Sequence, residues 1–114
     1  MLNCCVLGGR VTTIPTLRCR GKDHPVTVFT LAILLGKNRM GTIKVECLDG
    51  LAMEAAKRLS LGDRVAVAGF IAGDVHRQDN GTYKYELRLV ASDFEPLMED
   101  PDVEPKPSGE DLLS

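Results

Sequence analysis

A chain of 114 residues, 44% hydrophobic and 26% charged with a formal net charge of −2, has room for one domain and a tail. That balance is ordinary for a soluble globule, and no apolar run approaches the roughly 18 residues that cross a bilayer, so no membrane partner is expected. The charge is unevenly divided: residues 1–94 carry 13 Lys/Arg against 9 Asp/Glu, whereas residues 95–114 carry one Lys against seven acids. A basic body joined to an acidic tail is a different object from a uniformly acidic protein.

Leu2 to Thr13 reads as a first strand, with Cys5, Leu7 and Val11 on one face and Gly8-Gly9 predicting a bulge or bend. Ile14-Pro15 stops it, and Arg18-Cys19-Arg20-Gly21-Lys22-Asp23 reads as a basic loop. Val26 to Leu35 is the second strand, its Phe29, Leu31 and Ile33 inward and its Val28, Thr30 and Ala32 outward. A basic turn, Gly36 to Gly41, leads into a third strand from about Thr42 to Leu48, either face of which could be inward. Asp49 is placed to cap a helix whose stripe is Ala52, Ala55, Ala56 and Leu59, and Gly62 to end it in the left-handed conformation. The fourth strand, Asp63 to Ala72, alternates Val65, Val67, Gly69 and Ile71 against Ala66, Ala68, Phe70 and Ala72. A hairpin loop over Gly73–Thr82, turning at Asn80-Gly81, returns into a fifth strand, Tyr83 to Ala91. Alternation puts Tyr83 and Tyr85 on the face that Leu87 and Leu89 continue, which reads as packing; Phe29 and Phe94 read as buried. From Glu95 onward four prolines and seven acids leave little to pack, and a disordered tail is expected over residues 95–114.

Five strands with one helix between the third and fourth make an all-β chain with the strand order of the OB-fold, a five-stranded Greek-key barrel over residues 1–94 with a disordered acidic C-terminal tail. Such barrels grip oligonucleotides or oligosaccharides, and the fold does not choose between them. Cys4, Cys5, Cys19 and Cys47 read as free thiols: there is no Cys-x-x-Cys pair, His24 and His76 have no ligand-spaced partner, and neither metal nor cofactor is expected. A phosphate-binding glycine loop and a Cys–His pair with an orienting acid are both missing, so an enzyme is not expected. Met1-Leu2-Asn3-Cys4-Cys5 lacks the basic start and cleavage site of a signal peptide, which makes the cytoplasm the expected location.

Several stretches share order and spacing with a known family. Asn3-Cys4-Cys5-Val6-Leu7-Gly8-Gly9-Arg10-Val11, Ile14-Pro15-Thr16-Leu17-Arg18, Val28 to Ile33, Leu48-Asp49-Gly50, Gly62 to Gly69 and Asn80-Gly81 together resemble bacterial single-stranded DNA-binding proteins over residues 1–94. The resemblance implies an OB-fold that assembles as a homotetramer or homodimer and wraps single-stranded DNA during replication, repair and recombination. It also exposes departures. Cys19, Ile43, Asp49 and His76 stand where the family commonly has aromatic residues, and tryptophan is absent. At roughly 1–3 kcal/mol per stacked base, losing two or three such contacts weakens binding by orders of magnitude. The family's acidic tip docks onto replication and repair proteins; Glu110-Asp111-Leu112-Leu113 retains acid and apolar residues but lacks the Pro-Phe ending, so it reads either as a degenerate tip or as a solubilising tail.

With stacking reduced, charge must hold the strand. The candidates are Arg10, which the resemblance supports; Arg18, Arg20 and Lys22 of the first loop; Lys37, Arg39 and Lys44 of the second turn and the strand after it; and Arg77, Lys84 and Arg88 of the hairpin and last strand. His76 and Tyr83 are the ring systems added to them. The expected function is sequence-independent, mainly electrostatic binding of single-stranded DNA. The alternative is an OB-fold interaction protein of primosome type with weak or no DNA binding.

Overall fold

The computed structural model describes residues 2–97, and in it seven elements follow one another: β1 (Cys5–Val11), β2 (Thr16–Cys19), β3 (Pro25–Gly36), β4 (Arg39–Leu48), α1 (Gly50–Arg58), β5 (Arg64–Arg77) and β6 (Tyr83–Pro96). The sheet runs β1-β5-β6-β4-β3-β2, and a further β1–β3 pairing at Arg10↔Ala32 and Val11↔Leu31 joins its first strand to β3. Five strands therefore close a ring, with a seam between β1 and β3 that is only those two pairs long. Only the β4–β6 pairing is parallel; it sets Lys44 beside Arg88 and Val45 beside Leu89.

Inside the ring the alternation read from the sequence holds. Phe29, Leu31, Val45, Cys47, Val65, Val67 and Leu89 are buried to 1% exposure or less, and Val11 and Phe94 join the same core. The third strand thus turns Val45 and Cys47 inward, which sends Lys44 and Glu46 to the outer face. Burial raises the Cys47 thiol from its ordinary 9.0 to about 12, because the thiolate would have to form in an apolar site. Helix α1 seals one end of the ring with Ala52 and Ala55, and the buried Thr27 hydroxyl donates 2.7 Å to the Ala52 carbonyl to hold it there.

Several local expectations give way, each for a physical reason. Thr16–Cys19 is not loop but a sixth, short strand, in register with β3 from Thr16↔Val28 to Cys19↔Pro25. Its four residues carry no apolar alternation long enough to signal a strand, and the ladder to β3 supplies the pairing. Gly8-Gly9 forms no bulge, since β1 pairs with β5 in unbroken register from Cys5↔Gly69 to Arg10↔Arg64. Gly9 is needed because β1 passes from β5 to β3 here: a Cβ would lie 2.1 Å from the Ala32 carbonyl oxygen. The register shift falls instead where Ala68↔Asp93 gives way to Gly69↔Ala91, leaving Ser92 as the extra residue of β6, its hydroxyl donating to the Ala68 carbonyl.

Asp49 does not cap α1 with its side chain. It sits at φ 55°, ψ −122°, its carbonyl accepts from the Ala52 amide, and its carboxylate faces His24 at 3.6 Å. The helix ends at Arg58, so Gly62, at φ 93°, belongs to the turn before β5, where its amide donates to the Val11 carbonyl. The expected loop over Gly73–Thr82 is half strand: β5 and β6 stay paired out to Arg77↔Tyr83, and residues 78–82 turn. The last strand likewise runs past Ala91 to Pro96, which pairs with Val65.

Candidate nucleic-acid interface

Because Phe29, Val45 and Leu89 point into the core, their neighbours along each strand form the outer face of β2, β3, β4, β6 and β5. Register then fixes rows across that face. Thr16, Val28, Glu46, Val90 and Phe70 make one row; Thr30, Lys44, Arg88 and Ala72 make the next. Arg18 shares the face through its pairing with Val26, and His76 and Lys84, paired with each other, continue it onto the β5–β6 ribbon. β4 and β6 run parallel, so their first residues, Arg39 and Tyr83, start from the same end of the barrel. The β3–β4 turn with Lys37 lies at that end, and the 20–24 loop with Arg20 and Lys22 lies at the other.

The sequence candidates therefore divide into three groups. Arg18, Lys22, Lys37, Arg39, Lys44 and Arg77 are exposed and form no ion pair among the described residues; Arg18 and Lys44 stand on the outer face itself. Arg20, Lys84, His76 and Arg88 are placed beside carboxylates: Arg20 lies 3.8 Å from Glu46, while Lys84 and His76 lie 3.4 and 3.6 Å from Glu86. Arg88 is the most committed, its Nη1 donating 2.5 Å to Asp74 and its Nε 3.1 Å from Glu46 although not aligned to donate to it. The Asp74 hydrogen bond, with Glu46 nearby, holds the Arg88 guanidinium charged against the cost of its burial. Arg10 stands apart from both groups, donating 3.0 Å to the Gly62 carbonyl at the β1–β3 junction.

Two further groups escaped sequence reasoning. Glu46, unremarked in a strand whose faces were ambiguous, lies at the centre of the outer face with its side chain 8% exposed between Arg20 and Arg88. Val45 and Cys47 on either side were the available signal. Tyr85, read as packing with Tyr83, is instead 73% exposed, and Leu87 and Val75 stand beside it in solvent. Tyr83, Tyr85 and Leu87 occupy the ribbon face opposite to His76 and Lys84, so the ribbon is apolar on one side and charged on the other. Of the positions where the resemblance lost an aromatic, Cys19, Asp49 and His76 are exposed, whereas Ile43 packs against the core. Phe70, whose role the sequence left open, is half exposed on the outer face. The tail candidates Glu110, Asp111, Leu112 and Leu113 lie outside the described residues.

Chemically, the outer face offers paired and unpaired cations and scattered ring systems. Among the described residues no group of His, Cys, Asp and Glu is arranged to hold a metal ion, and no helix is long and apolar enough to cross a membrane. A family model described as the single-strand binding protein family matches residues 2–97. No curated protein is similar enough to match. Among solved structures, the small single-stranded DNA-binding protein of Streptomyces coelicolor superposes with a TM-score of 0.72 at 22% identity, covering 86% of this chain and 97% of that one. Wild-type single-stranded DNA binding protein of Thermus aquaticus gives a TM-score of 0.72 at 25% identity over 96% of this chain. Its deletion mutant delta 228–252 R190A gives 0.71 at 27% over 90%. The chain spans 45% of the length of each Thermus protein.

Proposed function

The chain belongs to the single-strand binding protein family, and on that premise we propose that it binds single-stranded DNA without sequence preference, mainly through charge, and catalyses no reaction. The observation that carries this reading is the set of unpaired cations on and around one sheet face: Arg18 and Lys44 on the face, Lys22 at one end, Lys37 and Arg39 at the other. Phosphates are held by such a track without reference to sequence, bases turned toward the barrel meet Phe70, and a strand that continues around the ribbon reaches Tyr83 and Tyr85 on its other face. Arg20, His76, Lys84 and Arg88 extend the track where their carboxylate partners yield, Arg77 adds an unpaired charge near the tip of the ribbon, and Arg10 supports the β1 side. We assign the binding body to residues 1–97, because β6 carries the expected boundary at 94 on to Pro96, and a separate acidic segment to the residues beyond.

Self-association as a homodimer or homotetramer is part of the proposal. β1 pairs with β5 along its full length but with β3 only at Arg10 and Val11, so its other edge from Cys5 to Gly9 is available to a second copy, with Val6 exposed beside it. Replication, repair and recombination in the cytoplasm are the settings in which unpaired DNA needs such cover, and the Glu110–Leu113 segment is the proposed contact for replication or repair proteins. Anisotropy of a labelled dT oligomer across a salt series tests the core of the reading. Binding should weaken with a log–log slope of roughly −0.7 per phosphate neutralised. Absence of binding even at low salt would refute it.

A further inference from the structure

Glu46 and Asp74 engage an arginine in the middle of the proposed DNA track. The Lys44/Arg88 pair joins β4 to β6 in the middle of the outer face, and two residues along the strand Glu46 sits almost wholly covered between Arg20 and Arg88. Asp74, half exposed, reaches Arg88 from β5 and accepts its Nη1 hydrogen bond. Asp74 thus takes up a donor that a phosphate would use, since carboxylate and phosphate oxygens compete for the same guanidinium geometry, and Glu46 places a second carboxylate charge beside it. The ring of charge is uneven as a result: Lys44 is unpaired while its neighbour Arg88 is neutralised twice over.

We propose that Glu46 and Asp74 act as internal phosphate substitutes, an intramolecular clamp on Arg88 and Arg20 that sets the DNA affinity of this face below what its cations could give. The clamp rests on the binding reading above. It has a direct consequence for specificity between ligands: a strand must displace Asp74 from Arg88 to use that arginine, so short strands that cannot reach past Lys44 gain least. Arg20, 64% exposed and 3.8 Å from Glu46, is the partner most easily recruited, whereas Arg88, 20% exposed, is the one held.

The test measures dT-oligomer affinity and its salt slope for the full chain and for three variants: Glu46→Gln, Asp74→Asn and Glu54→Gln. The last removes the same charge from α1, where Glu54 pairs with Arg58, and so controls for net charge. Glu46→Gln and Asp74→Asn should each bind about tenfold tighter than the parent, with a slope steeper by roughly 0.7, and Glu54→Gln should change neither to that extent. Asp74 lies at the surface, so Asp74→Asn carries the test where Glu46→Gln melts below the assay temperature. Binding by the parent with Glu46→Gln and Asp74→Asn unchanged, weaker, or no stronger than Glu54→Gln overturns the clamp and leaves the binding reading intact. Silence of the parent and all variants overturns both.

Discussion

The two halves of the β5–β6 pair carry the same alternation to opposite ends. In the barrel, Val67, Ile71 and Leu89 face the core, Leu89 at 0% exposure; two residues earlier on the same face of β6, Leu87 is 65% exposed, followed outward by Tyr85 and Tyr83. Nothing in the strand pattern marks the change. What changes is the cover: within the barrel β1 and β4 flank the pair, whereas the ribbon has no partner beyond itself among the described residues. Burial is decided by the neighbours a strand acquires, and the uncovered half is left free to meet a ligand.

Removing apolar bulk should expose that contrast most strongly. Leu89→Ala should cost roughly 2–5 kcal/mol of stability in chemical denaturation, while Leu87→Ala should stay within about 0.5 kcal/mol. Equal losses would mean that the ribbon is packed in solution. Crowding the barrel should rank next. Gly9→Ala drives a methyl group to 2.1 Å from the Ala32 carbonyl, and a loss of roughly 1–3 kcal/mol is expected against almost none for Gly36→Ala, which meets open space. On the ribbon, Tyr85→Ala should leave the melting temperature unchanged and weaken dT binding by roughly 1–3 kcal/mol, the contribution of one stacked base. A variant that melts early but binds normally would reassign Tyr85 to packing.

Smaller effects sharpen the picture of charge and of the core. Lys44→Ala should flatten the salt slope by roughly 0.7, as a phosphate contact demands, while Lys57→Ala on the helix should not. Cys47, raised to about 12, stabilises the fold as the neutral thiol. Its folded value lies above its unfolded one, so that contribution is complete below about pH 9 and falls as pH climbs toward 12. Denaturation between pH 8 and 10.5 should show a decline that Cys47→Ala makes shallower; identical pH profiles would contradict it.

The barrel was legible in the sequence because its core residues repeat every second position inside strands bounded by glycine and proline. Phe29 and Leu31 are inside as read, Phe94 is buried as read, and of the two faces that alternate along the fourth strand it is Val65 and Val67 that turn inward. Three things were not legible. Thr16–Cys19 becomes a strand through its ladder to β3, a long-range pairing without a local signature. Tyr85 carries the pattern of a packing residue but lies where the β5–β6 ribbon has no further strand beside it among the described residues. The site was legible only as a list of loop cations; which of them are unpaired depends on cross-strand neighbours. Register sets Arg88 opposite Ala72, and Asp74, two residues further along β5, still reaches it across the ribbon. Glu46 shows the same limit, since its part in the site follows from Arg20 folding back over β4.

A two-dimensional NMR titration of the full chain with a dT oligomer would probe the account at its centre. Amide shifts should concentrate at Arg18, Val28, Thr30, Lys44 and Lys84 on one sheet face, with Glu54 to Arg58 of α1 unmoved. Shifts confined to α1 and the β1 edge, or none at all, would contradict a strand running over the outer face of β3, β4 and β6.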